Sequence, residues 1–231
     1  MLFSLLIIGF LLGMRHALEA DHVAAVASLA TRSSSIRQTA MHGAFWGIGH
    51  TLTLFIFGSV VLLMDTMISE QLAGFLEFTV GIMLIVLGCD VLWRLYRERI
   101  HFHVHSHNNI RHFHAHSHAG EGSHRESRHQ HKHHQYGRAL FVGLMHGMAG
   151  SAALIVLTLQ TVQSTATGLL YILLFGIGSI AGMALLSTII AIPMRYSSQR
   201  LTWIYNSLHS LVGVITISIG SLTVINYLDT I

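Results

Sequence analysis

Charge is scarce in this chain. Asp, Glu, Lys and Arg make up 10% of its 231 residues, against about a quarter in an average soluble domain. Proline and cysteine are scarcer still, with one of each. The single Pro193 fits long uninterrupted helices, because a proline inside a helix costs about 3 kcal/mol. Cys89 stands alone in an apolar run, so no internal disulfide is available and the redox compartment is not encoded. The formal charge of +3 is small, and no basic patch is interleaved with aromatics. A nucleic-acid surface is therefore excluded.

What the chain has is apolar length. Its hydrophobic content is 52%, arranged in six segments at approximately 2–30, 40–64, 73–95, 138–160, 167–192 and 203–227. A soluble core does not need apolar runs of about 20 residues, whereas a bilayer span does. Gly, Ala and Ser within the runs suit helices that pack through small residues. None of the segments alternates with period two, which argues against a barrel. The expected fold is an all-α integral membrane protein with six transmembrane helices. The opening MLFSLLIIGFLLGM resembles a signal-peptide core, but no positive segment precedes it and cleavage nearby would sever the motif that follows. We expect it to be retained.

Basic residues set the orientation. Arg32 and Arg37 follow the first segment, Arg94, Arg97 and Arg99 follow the third, and Arg195 and Arg200 follow the fifth. The connections after segments two and four hold no Lys or Arg. Both termini are therefore expected outside the cytoplasm, and the connection after segment three inside it.

An internal repeat is visible. Gly13-Met-Arg-His16 aligns with Gly143-Leu-Met-His146, and Phe45-Trp-Gly-Ile-Gly-His50 with Leu174-Phe-Gly-Ile-Gly-Ser179. Val80-Gly81 and Gly88 align with Val212-Gly213 and Gly220. Three spans per unit force the second unit to enter the membrane from the opposite side, which makes two inverted three-helix repeats, an arrangement found in transporters. The expected organisation is a membrane unit over 1–96, a histidine-rich disordered loop over 97–137 and a second membrane unit over 138–231.

Histidine is abundant, at 19 residues, 13 of them between His101 and His134. Runs such as His101-x-His103-x-His105-x-His107 with Gly, Ser, Asn and Arg between them cannot build a core. Alternating imidazoles chelate Ni, Co, Cu or Zn adaptively. This loop is expected to buffer metal in the cytoplasm, with a plain polar tether as the alternative.

The other histidines lie in or beside the apolar segments. Arg15, His16, Glu19, Asp21 and His22 fall within eight residues of an otherwise apolar run. Such groups are rarely found in a bilayer without partners or a polar cavity, and imidazole with carboxylate suits divalent first-row metals. On a straight helix His16 and His22 would stand about 120° and about 9 Å apart. Either the helix unwinds here or the two serve different roles. His50, between glycines in the second segment, and His146, the repeat mate of His16, are further candidate ligands. Glu77, Asp90, His42 and His209 are weaker candidates, alone in their helices or near segment ends.

At residues 15–22, RHALEADH, the chain resembles the nickel/cobalt transporter (NiCoT) family, whose hallmark is a His-x4-Asp-His helix in this context. Gly49-His50-Thr51 matches a second family element, a Gly-His-Ser/Thr stretch. The shorter chain, starting at the motif helix, looks most like the compact urease-accessory (UreH-type) permeases. The resemblance implies transport of nickel or cobalt, more in the direction of uptake, with His16, Asp21 and His22 central to recognition. Ni²⁺ or Co²⁺ is then a transported substrate rather than a cofactor. The expected partners are the divalent ion and the lipid bilayer, with no nucleic acid; an oligomer or metallochaperone is not encoded. Two alternatives stay open, a zinc or manganese transporter of another family and a membrane metalloenzyme. The latter lacks His-Glu-x-x-His or Ser/His/Asp arrangements.

Overall fold

The first apolar segment does not run as one helix. Helix α1 (Leu2–His16) stops inside the histidine motif, and α2 (Ala20–Ala30) begins four residues on. Between them the Leu18 N–H donates to the Arg15 carbonyl and the Glu19 N–H to that of His16, at 2.9 and 3.1 Å. Glu19 is extended (φ −64°, ψ 148°) and occupies the N-cap position of α2 without a side-chain cap; the first hydrogen bond of α2 runs from Val23 N to Glu19 O at 2.9 Å. The structure, a computed structural model, describes residues 2–31, 33, 35–64, 69–98, 101–107, 110–116, 133–149, 164–200 and 202–230.

Four long helices follow the other segments closely: α3 (Ile36–Met64), α4 (Glu70–Glu98), α6 (Thr165–Arg200) and α7 (Thr202–Leu228). Each is long and apolar enough to cross a bilayer, and the chain is a multi-pass helical membrane protein. Helix α5 (His133–Ala149) covers the start of the fourth segment; positions 150–160 of that segment lie outside the described residues.

The histidine-rich connection was expected without regular structure. Strands β1 (His101–His107) and β2 (Ile110–His116) instead pair antiparallel, with His101 opposite His116, His103 opposite His114 and His105 opposite His112. The alternating His-x-His pattern is itself a period-two pattern, which an extended chain accommodates. The remainder of the expected loop up to position 132 lies outside the described residues.

Small residues let the helices meet backbone to backbone. Helix α1 lies along α6, α5 along α3, α3 along α6, and α4 along α7. A Cβ built on Gly13 would fall on the Phe175 carbonyl, and one on Gly143 on the Trp46 carbonyl. Gly49 likewise abuts the Leu140 carbonyl and Gly178 that of Phe10, while Gly81 faces Gly220 and Gly88 faces Gly213. In lipid, where apolar contact alone does not favour protein over solvent, such close approach is what holds helices together. Interhelical hydrogen bonds add to it: Thr51 Oγ1 donates to the Gly176 carbonyl at 3.0 Å, and Ser179 Oγ to the Gly13 carbonyl at 3.2 Å.

The centre of the molecule is filled by α2, whose residues from Ala24 to Ala30 are all buried. They pack with Trp46, Leu84, Val142 and Met183. Large apolar side chains such as Leu11, Ile56, Phe75, Phe141, Leu185 and Leu222 face outward, as a lipid-facing surface requires. Near the ends of α2 and α4 and the start of α5, Arg94 donates to Asp90 at 3.3 Å and to Thr31 Oγ1 at 2.8 Å. Arg138 stands 3.6 Å from Asp90.

Candidate metal centre

The break between α1 and α2 resolves the geometric difficulty of the motif. With residues 17–19 out of the helix, His16 and His22 no longer sit on opposite sides of one cylinder. Their ring centroids are 4.3 Å apart. His50, at the middle of α3, approaches both, at 5.2 and 5.1 Å. His146, near the end of described α5, comes within 4.2 Å of His22. Four imidazoles from four helices thus form one cluster. Their fractional exposures are 7% for His16, 1% for His22, 0% for His50 and 1% for His146.

Asp21 joins two of these rings. As an ionised carboxylate it can only accept hydrogen bonds, so His22 Nδ1 donates to Oδ1 and His146 Nε2 to Oδ2, both at 3.0 Å. The His22 backbone N–H also donates to Oδ1, at 2.8 Å. Position two of α2 suits this role, because the first N–H groups of a helix have no intrahelical acceptor and the helix start favours an anion. Glu19 does for His16 what Asp21 does for His22: its Oε1 accepts from His16 Nδ1 at 2.8 Å. Holding one ring nitrogen on a carboxylate fixes the tautomer and leaves the other nitrogen free to coordinate.

The free nitrogens are where a cation could bind. Among the described residues, His16 Nε2, His22 Nε2, both nitrogens of His50 and His146 Nδ1 are buried without a hydrogen-bond partner. Buried polar atoms normally have one. One donor atom from each of His16, His22 and His50 lies within 4.8 Å of the other two, and the same holds for Asp21, His22 and His146. First-row ions bind imidazole at about 2 Å, which puts opposite ligands roughly 4 Å apart. A small inward movement therefore suffices in either set.

Aromatic walls close the cluster. Phe175 on α6 stands 5.3 Å from His16, and Trp46 on α3 stands 5.5 Å from His146 and 5.4 Å from His22. Neither was singled out from the sequence, although Trp46 and Phe175 occupy matching places in the Gly-Ile-Gly repeat. Glu19 was noted only as part of the motif. The weaker candidates stand apart from the cluster. Glu77 is exposed, Asp90 is engaged by Arg94 and Arg138, His42 packs on Tyr136 at 5.2 Å, and His209 donates to the Tyr205 carbonyl at 2.9 Å.

Comparison with known proteins places the chain, over nearly its whole length, among nickel-transport proteins. The urease accessory protein UreH of Bacillus sp. (strain TB-90) is 39% identical over 219 residues, covering 95% of this chain and 90% of its own. The chloroplast protein FOR GROWTH AND FERTILITY 1 of Arabidopsis thaliana is 27% identical over 215 residues, 92% of this chain and 56% of its own. No solved structure matches. The family model described as NicO, high-affinity nickel-transport protein, matches residues 2–228. The chain belongs to this nickel-transport family: it is a metal-ion transporter, not an enzyme, and nickel is its substrate rather than its cofactor.

Proposed function

We propose that the chain takes nickel or cobalt ions into the cell through the buried cluster, with His16, Asp21, His22, His50 and His146 as the metal-binding residues. The observation that carries this is one cluster of four buried imidazoles with unpartnered nitrogens, two of them hydrogen-bonded to the Asp21 carboxylate. Neutral imidazoles coordinate a first-row ion, and Asp21 supplies a negative charge that offsets part of the ion's desolvation. The similarity to a urease accessory protein favours uptake over export.

Transport would proceed between two inverted three-helix repeats, residues 1–96 and 138–231, joined by the histidine-rich stretch. Reciprocal packing supports this. The approach of Gly13 to Phe175 is mirrored by that of Gly143 to Trp46, and Gly49 on Leu140 by Gly178 on Phe10. Gly81 facing Gly220 becomes, under the same exchange, Gly213 facing Gly88. The Lys/Arg distribution supports termini outside the cytoplasm and the connection at 97–137 inside it, where its histidines would hold arriving metal.

Uptake of radiolabelled nickel and cobalt by cells with and without the protein tests the reading. Parent-dependent uptake should disappear in His16→Ala and His22→Ala and persist in His42→Ala. Normal uptake by folded His16→Ala and His22→Ala proteins would show the cluster to be structural.

A further inference from the structure

His22 belongs to both three-residue sets at once, and that sharing suggests how an ion could move. One set, His16, His22 and His50, is made only of buried imidazoles. The other, Asp21, His22 and His146, contains the carboxylate, and Asp21 keeps 34% of its side-chain surface exposed. The two sets share a single ring, whose two nitrogens have different surroundings. His22 Nδ1 lies on Asp21 at 3.0 Å, whereas His22 Nε2 has no hydrogen-bond partner among the described residues.

We propose that these are two overlapping metal stations, and that the ion passes between them by exchanging from one nitrogen of His22 to the other. This rests on the nickel-binding reading above and specifies its path. At the outer station the ion sits on Asp21, His146 Nε2 and His22 Nδ1, and the His22 proton is on Nε2. At the inner station it sits on His16 Nε2, a His50 nitrogen and His22 Nε2, and the His22 proton is on Nδ1, held by Asp21. The ring is neutral with one proton in both states: water takes the Nε2 proton as the ion arrives there, and Nδ1 takes a proton back from water at the accessible Asp21 edge, so no net charge is created on it. His146 likewise carries its proton on Nδ1 while the ion is at the outer station and on Nε2, held by Asp21, once the ion has left. Asp21 changes from ligand to hydrogen-bond acceptor in the same step.

The stations also differ in how firmly they should hold a cation. The outer one offers a negative charge and partial access to the surroundings. The inner one offers three neutral donors, with Phe175 against His16. A charged group lowers the desolvation penalty of an ion, and its loss raises that penalty. The inner station therefore receives the ion without trapping it.

Cobalt absorption spectroscopy on the purified full chain separates the possibilities, because ligand type and number set the d–d bands. His22→Ala removes the ligand common to both stations and leaves the 13 histidines of the connection, so it serves as the blank. It should weaken intramembrane binding roughly a hundredfold or more. His50→Ala leaves the outer, carboxylate-bearing station and should keep binding within about tenfold of the parent; His146→Ala leaves the all-imidazole inner one and should bind more weakly than His50→Ala but measurably above the His22→Ala blank. Their difference spectra against the His22→Ala blank should be distinct, and neither variant should transport. His50→Leu and His146→Leu, which refill the volume, repeat the comparison where an alanine variant does not fold. If either single variant loses binding as fully as His22→Ala, or if both give one spectrum, there is a single station and the exchange is wrong. A parent indistinguishable from His22→Ala would instead overturn the nickel-binding reading itself.

Discussion

Replacing Asp21 by Asn isolates what its charge contributes, because the shape is kept. The amide oxygen can still accept from the His22 N–H and from His22 Nδ1, which lie at 2.8 and 3.0 Å from Oδ1. The amide NH₂ then faces His146 Nε2, 3.0 Å away in the parent, and that ring must move its proton to Nδ1 to accept. The fold should survive. Metal binding should weaken severely. Two unit charges 4 Å apart interact by about 4 kcal/mol at an effective dielectric of 20. An Ni²⁺ ion doubles that, and the carboxylate's own desolvation offsets part of it. A net loss of roughly 2–4 kcal/mol remains, or about 30- to 1000-fold in Kd. Calorimetric Ni²⁺ titration of protein lacking residues 101–134, parent against Asp21→Asn, measures it without interference from the connection. A Kd unchanged from the parent would mean that Asp21 only caps α2 and braces the rings.

Glu19→Gln should act more gently in the same titration, weakening Ni²⁺ binding about tenfold, as loss of a carboxylate behind a ligating imidazole does; no change would deny Glu19 a positioning role. Deleting residues 101–134 behind a short flexible linker should leave nickel uptake measurable while lowering the metal bound per protein; complete loss of uptake by a well-folded deletion would make the connection essential. In a Cys89→Ser background, cysteines placed near residue 115 and at the C-terminus should label from the cytoplasm and from outside respectively, and labelling from the same side would end the inverted-repeat topology. Gly143→Leu should force α5 off α3, where a Cβ would fall on the Trp46 carbonyl, costing about 1–3 kcal/mol or more in detergent melting. Gly137→Leu, on the same helix with nothing within 4 Å of a built Cβ, should be nearly silent.

The long spans were readable because the signal is redundant: in α3 or α6 some twenty apolar residues must all agree. Polar residues inside such spans were readable too, since burial makes each one costly and therefore informative. The chain also announced a conflict at His16 and His22, because a continuous helix could not aim both at one ion. It did not say how the conflict is settled. Ala17-Leu18-Glu19 contains neither Gly nor Pro, so nothing local marks a helix end there. The interruption is held by tertiary contacts: Gly182 lies against Met14 and Ala17, and Glu19 spends its carboxylate on His16 rather than on a helix cap. Trp46 and Phe175 stayed hidden for the opposite reason, since an aromatic in an apolar helix looks the same whether it faces lipid or a ligand. The pairing of β1 with β2 follows the two-residue period of the histidines, which composition alone does not convey.

On the duplicated reading, the scaffold is symmetric and the chemistry is not. The glycines that let helices meet are present in both halves and make mirrored contacts. The donors are not. Continuing the alignment from His146, the positions of Glu19, Asp21 and His22 are taken by Ala149, Ser151 and Ala152, and that of His50 by Ser179. Ser179 Oγ donates to the Gly13 carbonyl at 3.2 Å, so it braces α6 on α1 rather than offering an unpaired donor. Only His146 retains its counterpart's identity, and it reaches across to Asp21 in the first half. Two complete donor sets would create two deep cation wells inside the bilayer, each with charge to neutralise and each slow to release. A single set at the junction of the halves needs one carboxylate and one aqueous approach. It also lies where relative movement of the halves would alter ligand distances most, because His146 and Asp21 belong to different repeats. Binding strength would then change with conformation through that one pair, which links the asymmetry of the site to release of the ion.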